Sequence, residues 1–221
     1  MIPSRKTHCQ KTTKTPEETV DFSSLESSSL KENSVKKDIC YIKLTKCGST
    51  SINRWLQTIG KSFYFIRHRP SRHLSNIEVL EKSDFIFSVA RNPYSRAVSS
   101  WAFLEGGRRG KEDRPRLSFK EFMENDIYIT HFRNVHTKSQ YELLKPFLHF
   151  NNFHLGKLEE IDITLSLICE KFNLNKSDFS FPQIRSSKHD DYKSYYNDEI
   201  QELVYNKFKK DFLFFGYSEN L

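Results

Sequence analysis

The sequence predicts an α/β fold: a three-layer domain over residues 38–221 with a central parallel sheet flanked by helices. Three observations predict it. Short apolar runs of strand length alternate with stretches whose apolar residues recur at helical spacing. Alternation of that kind indicates parallel strands covered on both faces. The third strand-like run also leads directly into Asn92-Pro93, and Asn at the cap with Pro in the first turn opens a helix. With 221 residues, 37% of them apolar, one core can form without disulfide or metal staples.

Each element has its own justification. Residues 1–37 are rich in Ser and Thr, include Ser27-Ser28-Ser29, and scatter their apolar residues without period, so a disordered polar tail is expected. Ile39 to Leu44 is a buried-strand run. Thr45 to Ser51 is small and polar. Ile52, Trp55, Leu56 and Ile59 then mark a helix that Gly60 can end. Phe63 to Ile66 reads as a second strand and Phe85 to Ala90 as a third. The helix after Asn92-Pro93 has the apolar face Tyr94, Ala97, Val98, Trp101 and Ala102. Residues 105–116 form a Gly- and Arg-rich loop with Arg108, Arg109, Lys111, Arg114 and Arg116. Ser118 and Glu121 make a capping box for a helix carrying Phe119, Phe122 and Met123. A strand over Phe153–Leu158 and a helix over Thr164–Phe172 follow. Asp198 opens a helix with the stripe Ile200, Leu203, Val204 and Phe208, and Phe212 to Tyr217 is expected as a last short apolar element.

Composition and charge narrow the function. The net charge of +7 points to an anionic partner: nucleic acid, nucleotide, acidic glycan or anionic membrane. No apolar run approaches the roughly 18–20 residues that cross a bilayer. The first ten residues contain no apolar core of a secretory signal. Cys9, Cys40, Cys47 and Cys169 form no C-x-x-C pair and fit no zinc spacing. The expectation is a reducing, cytoplasmic location and no metal.

Two segments carry chemistry. Lys46-Cys47-Gly48-Ser49-Thr50-Ser51 lies where a strand turns into a helix. Amides at a helix start are unpaired within the helix, and the dipole there favours an anion. Gly48 allows close approach, Thr50 and Ser51 add hydroxyls, and Lys46 adds a charge, so a phosphate is the natural occupant. The fold is thus P-loop-like, but the motif is not a regular P-loop: the Lys precedes the only Gly, and no acidic strand end supplies magnesium ligands. Cys47 is read as a small residue tolerated in a tight loop, a reactive thiol being the other reading. The second segment runs from Arg91 to Ser99. Arg91 stands at the carboxyl end of a strand, where open α/β sheets bind ligands, and with Ser99 it can share one phosphate.

In order, the two segments resemble those of the sulfotransferase family, most closely its carbohydrate sulfotransferases and their bacterial relatives (sulfotransferase family 2-like). Thr45-Lys46-Cys47-Gly48-Ser49-Thr50-Ser51 is similar to that family's P-K-x-G-G-T-S, with Thr45 for the Pro and Ser49 for the second Gly. Arg91 through Ser99 match R-[ND]-P-[YW]-x-R-x-[VL]-S at every specified position. Tyr195-Tyr196, the helix after them, and Lys210-Asp211-Phe212 to Phe215-Gly216-Tyr217 resemble the family's ending. The resemblance implies transfer of a sulfuryl group from 3′-phosphoadenosine 5′-phosphosulfate (PAPS) to a hydroxyl, expected on a carbohydrate, by in-line displacement without a metal. Lys46 through Ser51 would hold the 5′-phosphosulfate, with Lys46 catalytic. Arg91 and Ser99 would hold the 3′-phosphate.

The acceptor side is expected between and beyond these segments. A base must take the acceptor's proton. His73, before Leu74-Ser75, is the expected base, with His68, His131 and His136 as other histidines of interest. His136 to Gln140 resembles an H-x-x-x-Q segment near the substrate cleft, and Arg67, His136 and Gln140 are the expected acceptor contacts. Arg67, Arg69, Arg72 and the 108–116 loop suit an acidic acceptor, or form a solvated basic face. The expected partners include neither nucleic acid nor an integral membrane segment. Two other readings stand beside this one: a P-loop-like nucleotide kinase, and a non-catalytic polyanion or nucleic-acid binder.

Overall fold

The structure, a computed structural model, describes residues 38–67, 77–106, 116–125, 134–182 and 190–221. Four parallel strands form the sheet: β1 (Ile39–Lys43), β2 (Phe63–Arg67), β3 (Phe85–Ala90) and β4 (Phe153–Lys157), in the spatial order β2-β1-β3-β4. β1 pairs with β2 from Ile39↔Phe63 to Lys43↔Arg67, and with β3 from Ile39↔Phe85 to Tyr41↔Phe87. From β1 the chain moves to one side and then crosses to the other. The crevice at the carboxyl ends of β1 and β3 is therefore a topological switch point, the place where such sheets bind ligands.

The helices are α1 (Ser49–Leu56), α2 (Ile77–Lys82), α3 (Pro93–Gly106), α4 (Phe119–Glu124), α5 (Gln140–Leu144), α6 (Ile161–Lys171) and α7 (Asp198–Phe215). Strand alternation decides which cover which face. Ile39 and Tyr41, with Phe87 and Val89 of β3, pack on Ile52, Trp55 and Leu56 of α1 and on Leu165 and Ile168 of α6. Cys40 and Ile42 point the other way, toward Leu143, Leu144, Phe147 and Phe215. A third cluster joins Tyr94, Ala97 and Val98 of α3 to Phe119 and Phe122 of α4 and Val204, Phe208 and Phe212 of α7.

Local signals act as expected at several joints. The Asn92 side chain accepts from the Tyr94 and Ser95 amides (2.9 and 3.3 Å) and starts α3. Ser118 and Glu121 form the capping box of α4. Three expectations are corrected. α1 ends at Leu56, four residues before Gly60, because Thr58 closes a tighter turn onto Trp55. α3 continues through Gly106, so Glu105 and Gly106 are helical and not part of a loop. Phe212 to Phe215 are the last turn of α7, which bends at Phe208 and ends at Gly216 in the left-handed conformation (φ 64°). The expected tail over 1–37 lies outside the described residues.

Candidate functional site

β1 delivers the chain into the crevice through Leu44, and the turn that follows is shaped by two left-handed residues. Lys46 has φ 65° and Gly48 φ 69°. Gly48, the residue before α1, needs glycine for its left-handed φ, and a Cβ there, 2.6 Å from Leu158 Cδ1, would also have to displace the tip of that leucine. The first bond of the α1 ladder runs from the Ile52 amide to the Gly48 carbonyl (3.0 Å), and no side chain caps the helix. The amides of Ser49 and Thr50 stand before that ladder. Thr50 is exposed, Ser49 half-buried and Ser51 buried. Cys47 is fully buried and burial pushes its thiol up to about 11. It is a hydrogen-bond donor, to Gln140 Oε1 at 3.1 Å, and not a reactive thiolate.

β3 delivers Arg91 to the same crevice. Its Nη1 donates to the Lys46 carbonyl (3.1 Å), while Nε and Nη2 both meet Ser95 Oγ (3.0 and 2.7 Å). The guanidinium is thereby locked against the Lys46 turn, and a left-handed, non-glycine residue is held by the very arginine that a phosphate would meet. Ser99, expected to share that phosphate, lies a turn beyond Ser95 on α3 and is 1% exposed. Ser95 is the serine at the fork.

Electrostatics point to an anion. Burial, with Arg91 nearby, lowers the Lys46 ammonium to about 8; burial, with Arg96 nearby, lowers Arg91 from its usual value. Arg96 is 2% exposed and gives Nε to Thr45 O (3.2 Å), Nη1 to Lys138 O (2.9 Å) and Nη2 to Val135 O (3.1 Å). It pins the start of the turn to residues 135–138, and no carboxylate pairs with it among the described residues. Three cations thus converge; the Glu159 carboxylate, which accepts from the Asn92 amide and the Tyr217 hydroxyl, both at 2.9 Å, offsets part of the Arg91 charge from a distance. A like charge nearby in a partly desolvated crevice disfavours the charged form of Lys46 and of Arg91, and an entering anion would relieve that.

The remaining expected residues divide. Lys46 Nζ sits 4.5 Å from the centre of the Phe103 ring, and Phe103 stacks on His136 (4.9 Å, 29°). Burial, with Lys46, Arg96 and Lys43 nearby, pulls His136 down to about 4, so it stands here as a neutral imidazole. Its Nδ1 is buried with no hydrogen-bond partner among the described residues. Arg67 is exposed at the carboxyl end of β2, level with Lys43. Gln140 is a correction: it is fully buried and its amide is spent on Arg91 and Cys47, so it is no acceptor contact. His68, His73, His131, Arg69, Arg72 and the 108–115 stretch lie outside the described residues. Arg116 lies with its guanidinium 4.4 Å from the centre of the Trp101 ring. The sequence reading missed Ser95, Arg96 and Phe103. Of these, Arg96 carried a signal, as the second arginine of the Arg91–Ser99 segment.

Among the described residues no group of three or more His, Cys, Asp or Glu is placed to hold a metal ion, and no helix is long and apolar enough to cross a membrane. No curated protein matches the chain. A family model does: that of the sulfotransferase family, over residues 34–218, a span holding the Lys46 turn, Arg91 and the α7 ending. With most of its length matched, and with its lysine and arginine turns facing each other across the β1/β3 crevice, this chain belongs to the sulfotransferase family.

Proposed function

We propose that the chain transfers the sulfuryl group of PAPS to a hydroxyl, with a carbohydrate as the acceptor class. The observation that carries this reading is the convergence of Lys46, Arg91 and Arg96 on one crevice, none of them in an ion pair with a carboxylate among the described residues. A ligand with phosphates at both ends of a nucleoside relieves that repulsion. The α1 start, with Ser49, Thr50 and Ser51, suits the 5′-phosphosulfate; Arg91, backed by Ser95 and with Ser99 below, suits the 3′-phosphate.

PAPS supplies the sulfuryl group. The acceptor oxygen forms a bond to sulfur while the bridging S–O bond breaks, its electron pair leaving on the 5′-phosphate. The hydroxyl's proton goes to a base, for which His73 is proposed. Lys46 neutralises the charge developing on the bridging oxygen, a contact strongest in the transition state. Arg67 and His136 are proposed for the acceptor side, where Lys43, Arg67 and the Phe103 ring line the edge of the crevice.

The reading is tested by thermal shift with 3′,5′-diphosphoadenosine against ATP plus magnesium. Ligand at about 100 times its dissociation constant stabilises by roughly 2.7 kcal/mol. A clear rise with the former and little with the latter is expected. The opposite ranking would favour a kinase and overturn the reading.

A further inference from the structure

Where β3 ends, its hydrogen-bond ladder ends too. Pairing with β1 stops at Tyr41↔Phe87 and pairing with β4 at Ala90↔Lys157, so the next residue, Arg91, has no strand beside it. Its backbone N–H and C=O still need partners, because unpaired polar groups in a buried position are costly. A side chain supplies them. Gln140 Oε1 accepts from the Arg91 amide (2.9 Å) and Gln140 Nε2 donates to the Arg91 carbonyl (2.8 Å). A carboxamide offers donor and acceptor side by side for such a reciprocal pair without having to be protonated. The same Oε1 takes the Cys47 thiol at 3.1 Å. One buried amide therefore ties the first anion-binding turn to the backbone of the second.

Gln140 is itself held from behind. The Asp211 carboxylate, fully buried on α7, accepts from the Gln140 amide (2.9 Å), the Tyr141 amide (2.9 Å) and Ser139 Oγ (2.5 Å). Charge-assisted bonds of this kind are short and strong, and they fix the start of α5 against α7.

We propose that Gln140, anchored by Asp211, is the positioning residue that sets the spacing between the Lys46 turn and Arg91, and hence the enzyme's preference for a nucleotide phosphorylated at both ends. This rests on the donor reading above. Gln140 touches no ligand; it acts through the backbone of Arg91 and through Cys47. Loss of the bracket lets the two turns drift, and a ligand bridging both then loses affinity, while a ligand that uses only the first turn keeps it.

The test is the ratio of dissociation constants for adenosine 5′-phosphate and 3′,5′-diphosphoadenosine, measured calorimetrically on the full chain. Gln140→Met keeps the side-chain volume and removes both hydrogen-bonding groups; Gln140→Glu, read at a pH where its carboxyl is ionised, keeps the acceptor and removes the donor. The ratio should fall about tenfold in the first and less in the second, with 5′-phosphate binding little changed. A merely structural role would lower stability and leave the ratio of the folded protein intact, and that result overturns the proposal. If neither variant folds, Ser139→Ala, which removes one of the three bonds to Asp211, carries the test: a fall of about threefold supports the bracket and an unchanged ratio overturns it. Failure of the wild type to prefer the diphosphate would instead overturn the donor reading, and this proposal with it.

Discussion

On the proposed mechanism Lys46 is the residue on which the chemistry turns, and two of its properties can be measured. Its ammonium is lowered to about 8 by burial and by Arg91. The protonated form is the useful one, since it meets charge developing on the leaving oxygen. Activity limited by Lys46 should therefore hold below that value and fall as pH rises through it. In kcat/KM, which reports the free enzyme, the alkaline limb is expected near pH 8; in kcat it should move upward, because the bound anion favours the charged form. Lys46→Arg keeps the charge at all working pH and should lose that limb. Lys46→Ala should lower kcat far more than it weakens 3′,5′-diphosphoadenosine binding; normal turnover in that variant would remove Lys46 from the mechanism. On the same reading Arg91 differs, because the phosphate proposed for it does not react. Arg91→Ala forfeits a charge-assisted bond worth roughly 1.5–3 kcal/mol, about ten- to hundredfold in affinity. The loss should fall more heavily on PAPS than on adenosine 5′-phosphosulfate, which loses only the support that Arg91 gives the Lys46 turn, with Ser99→Ala losing less. An Arg91→Ala enzyme that still separates the two ligands as wild type does would free Arg91 of the 3′-phosphate role.

At the scale of elements, the sheet is held to its helices by close approaches that leave no room for a side chain. Gly156 of β4 faces the Thr164 hydroxyl of α6, and an added Cβ would overlap it; Thr164 is buried and has nowhere to go. Gly156→Ala should push α6 off the sheet and destabilise the fold by about 1–3 kcal/mol. The urea midpoint should drop with the slope unchanged, and an unaltered midpoint would mean that α6 is not seated on β4 as described. This element-level order was partly legible in the sequence. β1, β3, the Asn92-Pro93 start and the Ser118–Glu121 box depend on neighbouring residues, and local patterns reveal them. α2 and α5 escaped because helices of six and five residues leave too short a period to read. The end of α7 was misread because Phe212 to Phe215 serve two clusters on different sides of the helix, which looks like an unbroken apolar run. The Lys46 turn and Arg91 were legible for the same local reason as the strands. The Gln140–Asp211 bracket and the Arg96 pin were not: they are bonds between residues 39 to 72 positions apart, and such bonds leave no spacing to recognise.

Across the whole molecule the charge is unevenly useful. The chain is +7 overall, but the carboxyl edge of the sheet concentrates cations: Arg67 at the end of β2, Lys43 at the end of β1 and Lys46 beyond it, Arg91 just after β3, and Lys157, whose ammonium lies over the Tyr217 ring, at the end of β4. Arg67 is exposed, Lys43 and Lys157 are half-buried, and Arg91 and Lys46 sit in the crevice. These groups should respond to salt differently. Screening acts over a Debye length of about 10 Å at 0.1 M and about 3 Å at 1 M salt, and it weakens long-range attraction between a dissolved polyanion and the exposed edge. It acts much less on contacts already closed and desolvated. On the proposed reading, capture of PAPS would be governed by the first kind of interaction and sulfuryl transfer by the second. Raising salt from about 0.05 to about 0.5 M should therefore lower kcat/KM for PAPS several-fold while leaving kcat nearly constant. Arg67→Ala should flatten the salt dependence of kcat/KM without changing kcat at saturation. Initial rates over a salt series settle the point. If kcat falls in step with kcat/KM, the edge cations act on the reaction itself, and the division between a steering rim and a chemical crevice is wrong.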